Sequence, residues 1–288
     1  MKPPFTTLWL ALLLVLLVFT SCEKPLLTDS SDESKPIGNL TVNVFNIEQT
    51  SFESLTRLAA ADVCTRLSFN VYKLDGTLVK NVNQVVDDDD FGTASFQLDK
   101  DDYQLVVFAH SSNGNPSVTN PAKIQFTNTM GFSDTFLSNN QVTIGDDPVV
   151  ATVSLNRIVA LCRFVITDDK PDNVTRMRFY YTGGSGAFDA NTGFGVVNSK
   201  QTVWFEDLTA DSKLFDLYTI LRDTTGNIHL TVSAYDENDN VLYEREFDVP
   251  LEQNKITWLS GPYFTGTTSN SFTVNINTDW AGESHLTF

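Results

Sequence analysis

Apolar and polar residues alternate with a period of two along most of the chain from Leu40 onward. The most regular stretches are residues 40–44, 67–71, 103–107, 228–235, 241–249 and 272–276. Successive side chains of a β-strand point to opposite faces of a sheet, so half-buried strands show this period. Only residues 52–61 and 211–221 allow a helical turn or two. The pattern therefore predicts an all-β protein.

Two stretches of the chain resemble each other at a separation of 163 residues: LSFNVYKLDGTLVKN from Leu67 and LTVSAYDENDNVLYER from Leu230. Each is an alternating strand that ends in tyrosine, followed by a polar turn and a second strand. A likeness at this distance is too long for a short-period solenoid. It predicts two β-sandwich domains in tandem.

The segment VVATVSLNRIVALCRFVI, from Val149, indicates where these domains meet. It is apolar for so long that it predicts two consecutive buried strands, one in each domain. We place the boundary after Leu155, which gives an N-terminal domain of residues 38–155 and a C-terminal domain of residues 156–288.

The N-terminus has the features of an export signal. Lys2 precedes an apolar run at 8–19, whose twelve residues would span only about 18 Å as a helix, short of the roughly 30 Å of a bilayer core. Residues 1–21 are therefore predicted to be a signal peptide. The small residue before Cys22 resembles a bacterial lipobox, which implies that this cysteine carries acyl chains in the outer membrane. The alternative is an ordinary secretory leader.

Residues 22–37 follow the signal peptide and are rich in Pro, Ser and charged side chains, without an apolar period. This composition is typical of a flexible tether, which would be lipidated at its first residue. The folded part is expected to begin near residue 37.

Charge and composition exclude several classes of protein. The chain has 36 acidic and 19 basic side chains and a net charge of −17, which opposes binding to a phosphate backbone. With 41% hydrophobic residues it is not globally disordered. Two cysteines remain beyond the lipobox, Cys64 and Cys162. They form either a disulfide, which an oxidising compartment permits, or two small buried thiols.

Motifs for catalysis and metal binding are incomplete. Residues 236–247 begin with the spacing of a calcium loop but lack its glycine and its final glutamate. Segment 183–187 lacks the last glycine of the G-x-S-x-G nucleophile motif. None of the three histidines has the spacing of a zinc site; they are His110, His229 and His285. We expect no enzymatic activity, metal or cofactor.

Aromatic residues provide the alternative function, a surface glycan-binding lipoprotein of a nutrient-uptake system. Trp204, Trp258 and Trp280, with Tyr263 and Phe264, could offer a platform for sugar rings. The first two tryptophans lie in alternating stretches, which favours packing in the core for both.

The lipobox, the tether and five segments together carry a resemblance to a known family. The segments are NLTVNVF from Asn39, TRLAAADVCTRLSFNVYKLDGTLV from Thr56, YQLVVFAHSSNG from Tyr103, LNRIVALCRFVI from Leu155 and YFTGTTSNSFTVNINTDWAGE from Tyr263. The chain resembles the fimbrillin superfamily of Bacteroidales type V pili. The resemblance implies two transthyretin-like, Greek-key sandwiches and a lipoprotein precursor of a surface fimbria with a role in adhesion.

The resemblance also implies proteolytic processing. In the family an arginine-specific protease cuts after an arginine beyond the first strand and releases the lipid and that strand. Arg57 is the best match and Arg66 the second. The displaced strand would carry Leu40, Val42 and Val44. The alternative for Arg57 is an exposed loop arginine without a protease, since Leu58 follows where the family often has a small residue.

Other pilus subunits are the implied partners. A strand from the next subunit would fill the vacated groove, and the C-terminal segment with Phe272, Val274 and Ile276 has the alternation suited to it. A head-to-tail contact of this kind grows a filament. A cut subunit would belong to the stalk or tip, whereas an uncut subunit would be an anchor held by Cys22.

Overall fold

The computed structural model describes residues 38–51, 54–58, 60–265, 275–277 and 283–287. These residues form strands and one short helix, so the predicted all-β class is confirmed. The predicted signal peptide, the lipidation site Cys22 and the tether lie outside the described residues. Residues 214–220, where a helical turn was an option, form a strand in which Phe215 and Leu217 are buried.

The N-terminal half builds one large sheet. Its elements are β1 (Leu40–Ser51), β2 (Ser54–Leu58), α1 (Ala60–Val63), β3 (Arg66–Lys73), β4 (Leu78–Val85), β5 (Thr93–Phe96), β6 (Asp101–His110), β7 (Ile124–Gln125), β8 (Phe136–Ile144) and β9 (Val149–Arg157). The strand order is β2-β1-β9-β8-β6-β3-β4, and β5 pairs with β1. Only the β1–β9 pair is parallel among the described pairs of this sheet.

The sheet folds over its own core because β8 and β9 pair at only two positions, Phe136 with Arg157 and Leu137 with Asn156. On one side of this corner lie β1, β5 and β9; on the other lie β3, β4, β6 and β8. Alternate residues from both groups bury together, among them Leu40, Phe69, Phe96, Leu105 and Val153.

The C-terminal half builds two sheets around a second core. Its strands are β10 (Val159–Ile166), β11 (Arg176–Thr182), β12 (Ala187–Phe188), β13 (Gln201–Phe205), β14 (Leu214–Ile220), β15 (Thr225–Tyr235), β16 (Val241–Glu252), β17 (Ile256–Gly261), β18 (Asn275–Asn277) and β19 (Glu283–Thr287). One sheet has the order β14-β10-β17-β19-β18 and the other β13-β11-β15-β16. Side chains from both sheets form the core between them, including Phe164, Phe179 and Phe247.

The two halves repeat one pattern of strand pairing. In β5-β1-β9 and in β14-β10-β17, the middle strand is antiparallel to the first strand and parallel to the last. The runs β4-β3-β6-β8 and β13-β11-β15-β16 are antiparallel throughout. Sheet membership changes between Arg157 and Val159, close to the boundary predicted after Leu155, which stays a prediction.

A third core joins the halves, so the described residues from Gly38 onward pack as one compact unit. It combines Phe108 and Phe126 of the first half with Phe188 and Ile220 of the second. The short pair β7–β12 adds a backbone link across the same junction. At its rim, Arg157 makes a two-pronged ion pair with Asp134, with N–O distances of 2.7 and 2.8 Å.

Candidate functional site

The N-terminal part of β1 is paired with another strand along each of its two edges. Residues 40–43 of β1 pair with β5, and residues 40–48 pair with β9. Leu40 and Val42 are fully buried in the N-terminal core, and Val44 is partly buried against it. The sequence therefore identified the inward face of this strand. Beyond the bulge after Val44, Ile47 is again fully buried.

Polar contacts hold the start of β1 in place. The Asn39 side chain donates to the Leu98 carbonyl (2.7 Å) and accepts from the Leu98 N–H (2.9 Å). Further along, the Thr93 hydroxyl donates to Asn43 Oδ1 (3.0 Å). Gly38 is packed so closely that an added Cβ would lie 2.1 Å from the Phe96 carbonyl oxygen. These contacts are amides and hydroxyls, whose net contribution is about 1 kcal/mol per hydrogen bond.

The two candidate arginines have different surroundings. Arg57 lies in β2, opposite Glu48 of β1, and β2 pairs with no other strand among the described residues. Arg57 is thus in an edge strand and not in the loop that its alternative interpretation assumed. Arg66 begins β3 between Val85 and His110, inside the sheet. Proteases bind extended substrates, so the backbone of an edge strand is the more accessible of the two.

The predicted donor segment falls mostly outside the described residues, which include neither Phe272 nor Val274. Ile276 lies in β18, an edge strand that pairs only with β19 in the described part of the sheet. The chain reaches this segment through residues 263–265.

Asp168 fixes the point where that segment begins. Its carboxylate accepts hydrogen bonds from the N–H groups of Tyr263 (2.9 Å), Phe264 (2.8 Å) and Thr265 (2.7 Å). Burial acts to raise the pKa of Asp168, but these hydrogen bonds outweigh it and hold the pKa below its usual value. No local sequence pattern predicts these hydrogen bonds, because Asp168 and its partners are 95 or more residues apart in the chain.

The two cysteines are free thiols in different cores. Cys64 packs in the N-terminal core and Cys162 in the C-terminal core. Burial raises the pKa of each thiol to about 12, which keeps both protonated and unreactive. Of the two alternatives that the sequence left open, the structure contains the pair of buried thiols.

The aromatic side chains do not meet in one platform. Trp204 is 41% exposed, so the expectation that it packs in the core is wrong. Its neighbours Val203 and Phe205 pack against the core, which turns its ring to the outer face, 5.2 Å from the Tyr235 ring. Trp258 lies on a different sheet, half-buried beneath the guanidinium of Arg163 at 4.9 Å.

Tyr263 is buried in the C-terminal core, and Phe264 is partly buried against it. Trp280 lies outside the described residues. A sugar platform built jointly from these aromatics is therefore not present among the side chains that the structure describes.

The other chemical motifs behave as structural elements. Ser185 is fully buried and its hydroxyl donates to the Ala187 carbonyl at 2.5 Å, so it is not placed as a nucleophile. Asp236 accepts N–H bonds from Asn238 and Asn240, both at 2.9 Å, and shapes the β15–β16 turn. In the described part of the chain, no three His, Cys, Asp or Glu side chains are grouped to hold a metal ion. No helix there is long and apolar enough to cross a membrane.

The profile of the Family of unknown function (DUF6562) matches residues 35–287. The chain belongs to this family. The matched range of this DUF6562 member includes β1, both candidate arginines and the candidate donor segment. No curated protein matches the chain.

Three solved structures show a distant likeness to this chain. A candidate adhesin from Bacteroides ovatus is 16% identical with a TM-score of 0.48, over 77% of this chain and 88% of that chain. A fimbrial assembly protein from Parabacteroides distasonis is 14% identical with a TM-score of 0.44, over 86% and 97%. The fimbrial anchor protein Mfa2 from Porphyromonas gingivalis is 11% identical with a TM-score of 0.43, over 72% and 80%.

Proposed function

We propose that the chain is a structural, non-enzymatic subunit of a cell-surface fimbria with a role in adhesion. It would be made as a lipoprotein precursor and assembled by strand exchange between subunits built from two tandem transthyretin-like sandwiches. The single observation that carries the proposal is the position of β1. This strand fills the middle of a core, yet its covalent connection to the rest of the described fold runs only through β2 and the short segment after it.

One cut after Arg57 would release this strand. The peptide bond after Arg57 lies in the last pair of β2, where Arg57 is opposite Glu48 and Leu58 is opposite Ile47. Cleavage there would leave β1 and residues 54–57 held to the rest of the fold only by noncovalent contacts. A cut after Arg66 would also separate them but would have to reach a bond inside the sheet. The position of β2 at the sheet edge favours Arg57.

Loss of β1 would leave an acceptor groove between β5 and β9. The departure of β1 would remove the buried side chains of Leu40, Val42 and Ile47 from the core. Together they contribute roughly 5–9 kcal/mol of hydrophobic stabilisation. The departure also leaves two strand edges with unpaired backbone groups, a state that proteins normally avoid. Another extended segment with the same alternation of apolar side chains would restore both the hydrophobic burial and the backbone hydrogen bonds.

The C-terminal segment is the proposed donor. In an extended chain, Phe272, Val274 and Ile276 would share one face, with the same spacing as Leu40, Val42 and Val44 of β1. Because the donor segment belongs to the C-terminal half of the sequence and the groove to the N-terminal half, the contact would be heterologous and would propagate head to tail. A subunit that is cut would join a stalk or tip, and one that keeps Cys22 would anchor the fimbria in the outer membrane.

The test uses the full chain, expressed with its leader in a Gram-negative host and purified in mild detergent. After digestion with an arginine-specific protease, we expect a new N-terminus at Leu58 and concentration-dependent ladders that survive mild denaturant. Arg57→Lys should abolish both products, whereas Arg66→Lys should leave both unchanged. A chain that ends at Thr265 should be cut but remain monomeric. Cleavage at Arg57 without any assembly would contradict strand exchange.

A further inference from the structure

A groove opens where β8 and β9 separate, and we call it the amide groove. It is bounded by residues 137–141 of β8, residues 152–156 of β9 and the loop 190–193. Two adjoining cavities of about 400 and 280 Å³ form it, and they share Asn139, Asn140 and Asn191. The loop belongs to the C-terminal half, so the groove lies between the two halves, a common location for ligand sites.

The lining is polar but carries no charge. Of the sixteen residues that line the two cavities, six carry side-chain amides, four carry hydroxyls and none is ionisable. With 19% charged residues in the chain, about three would be expected in a lining of average composition. The six amides are Gln104, Asn139, Asn140, Gln141, Asn156 and Asn191.

The sequence of β8 departs from its own pattern at this groove. Phe136, Val142 and Ile144 occupy alternate positions and pack in the N-terminal core. Ser138 and Asn140 lie between them on the same face and interrupt the apolar series. The Asn140 amide donates to the Ser138 hydroxyl at 2.8 Å. Ser138 is buried and Asn140 is exposed, so the face of β8 that is apolar on either side opens into the groove here. Proteins retain polar residues that interrupt the apolar face of a strand mainly where they serve a function.

Hydrogen bonds hold the amides in fixed orientations. Asp189 Oδ1 accepts from both the backbone N–H (2.8 Å) and the side-chain amide (2.7 Å) of Asn191. This turns Asn191 Oδ1 toward Gln104, whose Nε2 donates to it at 2.8 Å and to Asn139 Oδ1 at 3.0 Å. Side chains that are already ordered lose less entropy when they bind a ligand.

We propose that the amide groove binds an uncharged oligosaccharide. A sugar hydroxyl both donates and accepts hydrogen bonds, and a side-chain amide offers both functions side by side. The lack of charge in the lining removes the usual basis for recognising an anionic glycan or a charged peptide. Taken together, the volumes of the two adjoining cavities fall in the range of small-ligand sites, about 300–1,000 Å³. The site would give a surface subunit its own contact with a glycan.

The experiment titrates the full chain, in mild detergent, with maltohexaose, cellohexaose, mannohexaose and xylohexaose, with hexagalacturonate as the charged comparison. Isothermal calorimetry should detect binding of at least one neutral sugar, unchanged between about 50 and 500 mM salt. The double variant Asn139→Ala, Asn191→Ala should lose about tenfold or more in affinity. Asn83→Ala is the matched control, since Asn83 is an exposed amide that bonds another amide, Asn81, at 2.9 Å on β4.

Several outcomes would overturn the proposal. They are binding of no neutral sugar, equal binding by the double variant, or binding of hexagalacturonate alone. A synthetic peptide of residues 265–278, which has no charged side chain, is included as a competitor. If this peptide binds the groove and the sugars do not, the partner is a protein strand. If thermal melting shows that the double variant is unfolded, Asn191→Ala alone replaces it. Asn191 lies on an exposed loop, so its change tests sugar binding by the groove without truncating a residue of β8.

Discussion

Strands β1 and β10 occupy the same place in the two halves of the molecule, yet they are held in different ways. Each lies between an antiparallel and a parallel neighbour and fills a core. β10 follows β9 after one residue, and a two-pronged ion pair between Arg163 and Asp216, at 2.7 and 2.8 Å, fastens it to β14. β1 begins the described fold and is fastened by amide and hydroxyl contacts.

The difference shows how one topology can serve two purposes. A strand that is continuous with its neighbours and fastened by charge-assisted bonds is a permanent part of its sandwich. By contrast, β1 begins the described fold and forms a hairpin with the edge strand β2, so under the proposed function a single cut would allow its exchange. The packing of the two strands is similar, so the distinction depends on chain connectivity and not on the amount of core they fill.

The largest effect comes from truncating one core side chain in each strand. In the uncut chain, Phe164→Ala should cost about 3–5 kcal/mol and Leu40→Ala about 3 kcal/mol, because both side chains are fully buried. Chemical denaturation measures both. In filaments assembled after cleavage, Leu40→Ala should have no effect on stability, since β1 has left the fold, whereas Phe164→Ala should still destabilise. Equal losses in filaments would show that β1 remains in place.

A smaller effect is expected from His110 and His229, one in each half, because the stability that they contribute changes with pH in opposite directions. His110 is buried between the Phe108 and Phe126 rings, and burial together with Arg66 lowers its pKa from 6.5 to about 4. The unfolded chain therefore binds a proton first, and stability falls as the pH drops from 6.5 to 4, by up to about 3 kcal/mol. His229 is exposed, and its hydrogen bond to Asp248 raises its pKa, so its small contribution is lost as the pH rises.

Denaturation curves measured between about pH 4 and 8 test this contrast. His110→Phe should remove much of the acid loss of stability, and His229→Gln should leave it unchanged. If the His110 variant shows the same acid loss as the parent chain, the buried imidazole does not control the stability of the N-terminal half in this range.

The alternation of residues was enough to predict the β class and the inward face of β1, because burial of alternate side chains is a local property of a strand. Other features depend on tertiary pairing. The similar stretches that begin at Leu67 and Leu230 form the hairpins β3–β4 and β15–β16. These two hairpins occupy different positions in their sheets, so the similarity in sequence does not mark equivalent strands. Trp204 has the pattern of a core residue but faces outward, since either face of a strand can carry an aromatic ring.

The candidate site was predictable only in part for the same reason. The resemblance in sequence pointed to Arg57 and the first strand, and the roles predicted for them stay predictions. The edge position of Arg57 depends on β2 pairing with β1 alone, and the amide groove depends on a loop that lies far along the chain from β8. Neither relation leaves a local periodic signal.

The smallest effect concerns the clamp at the start of the C-terminal segment. Asp168→Asn should cost about 1–2 kcal/mol, because the amide keeps one acceptor but places N–H groups against the N–H groups of residues 263–265. Asp169→Asn is the matched control, since that neighbouring carboxylate is exposed and pairs only with Lys213 at 3.2 Å. Both changes remove one negative charge, so a difference in stability between the two variants isolates the contribution of the hydrogen bonds.

Acid should lower the stability of the parent chain toward that of the Asp168 variant. The folded-state pKa of Asp168 is lowered, so the stabilisation by its carboxylate is lost as the pH falls through that pKa. If the two variants are equally stable at neutral pH, the hydrogen bonds of the Asp168 carboxylate do not fix the point where the C-terminal segment begins.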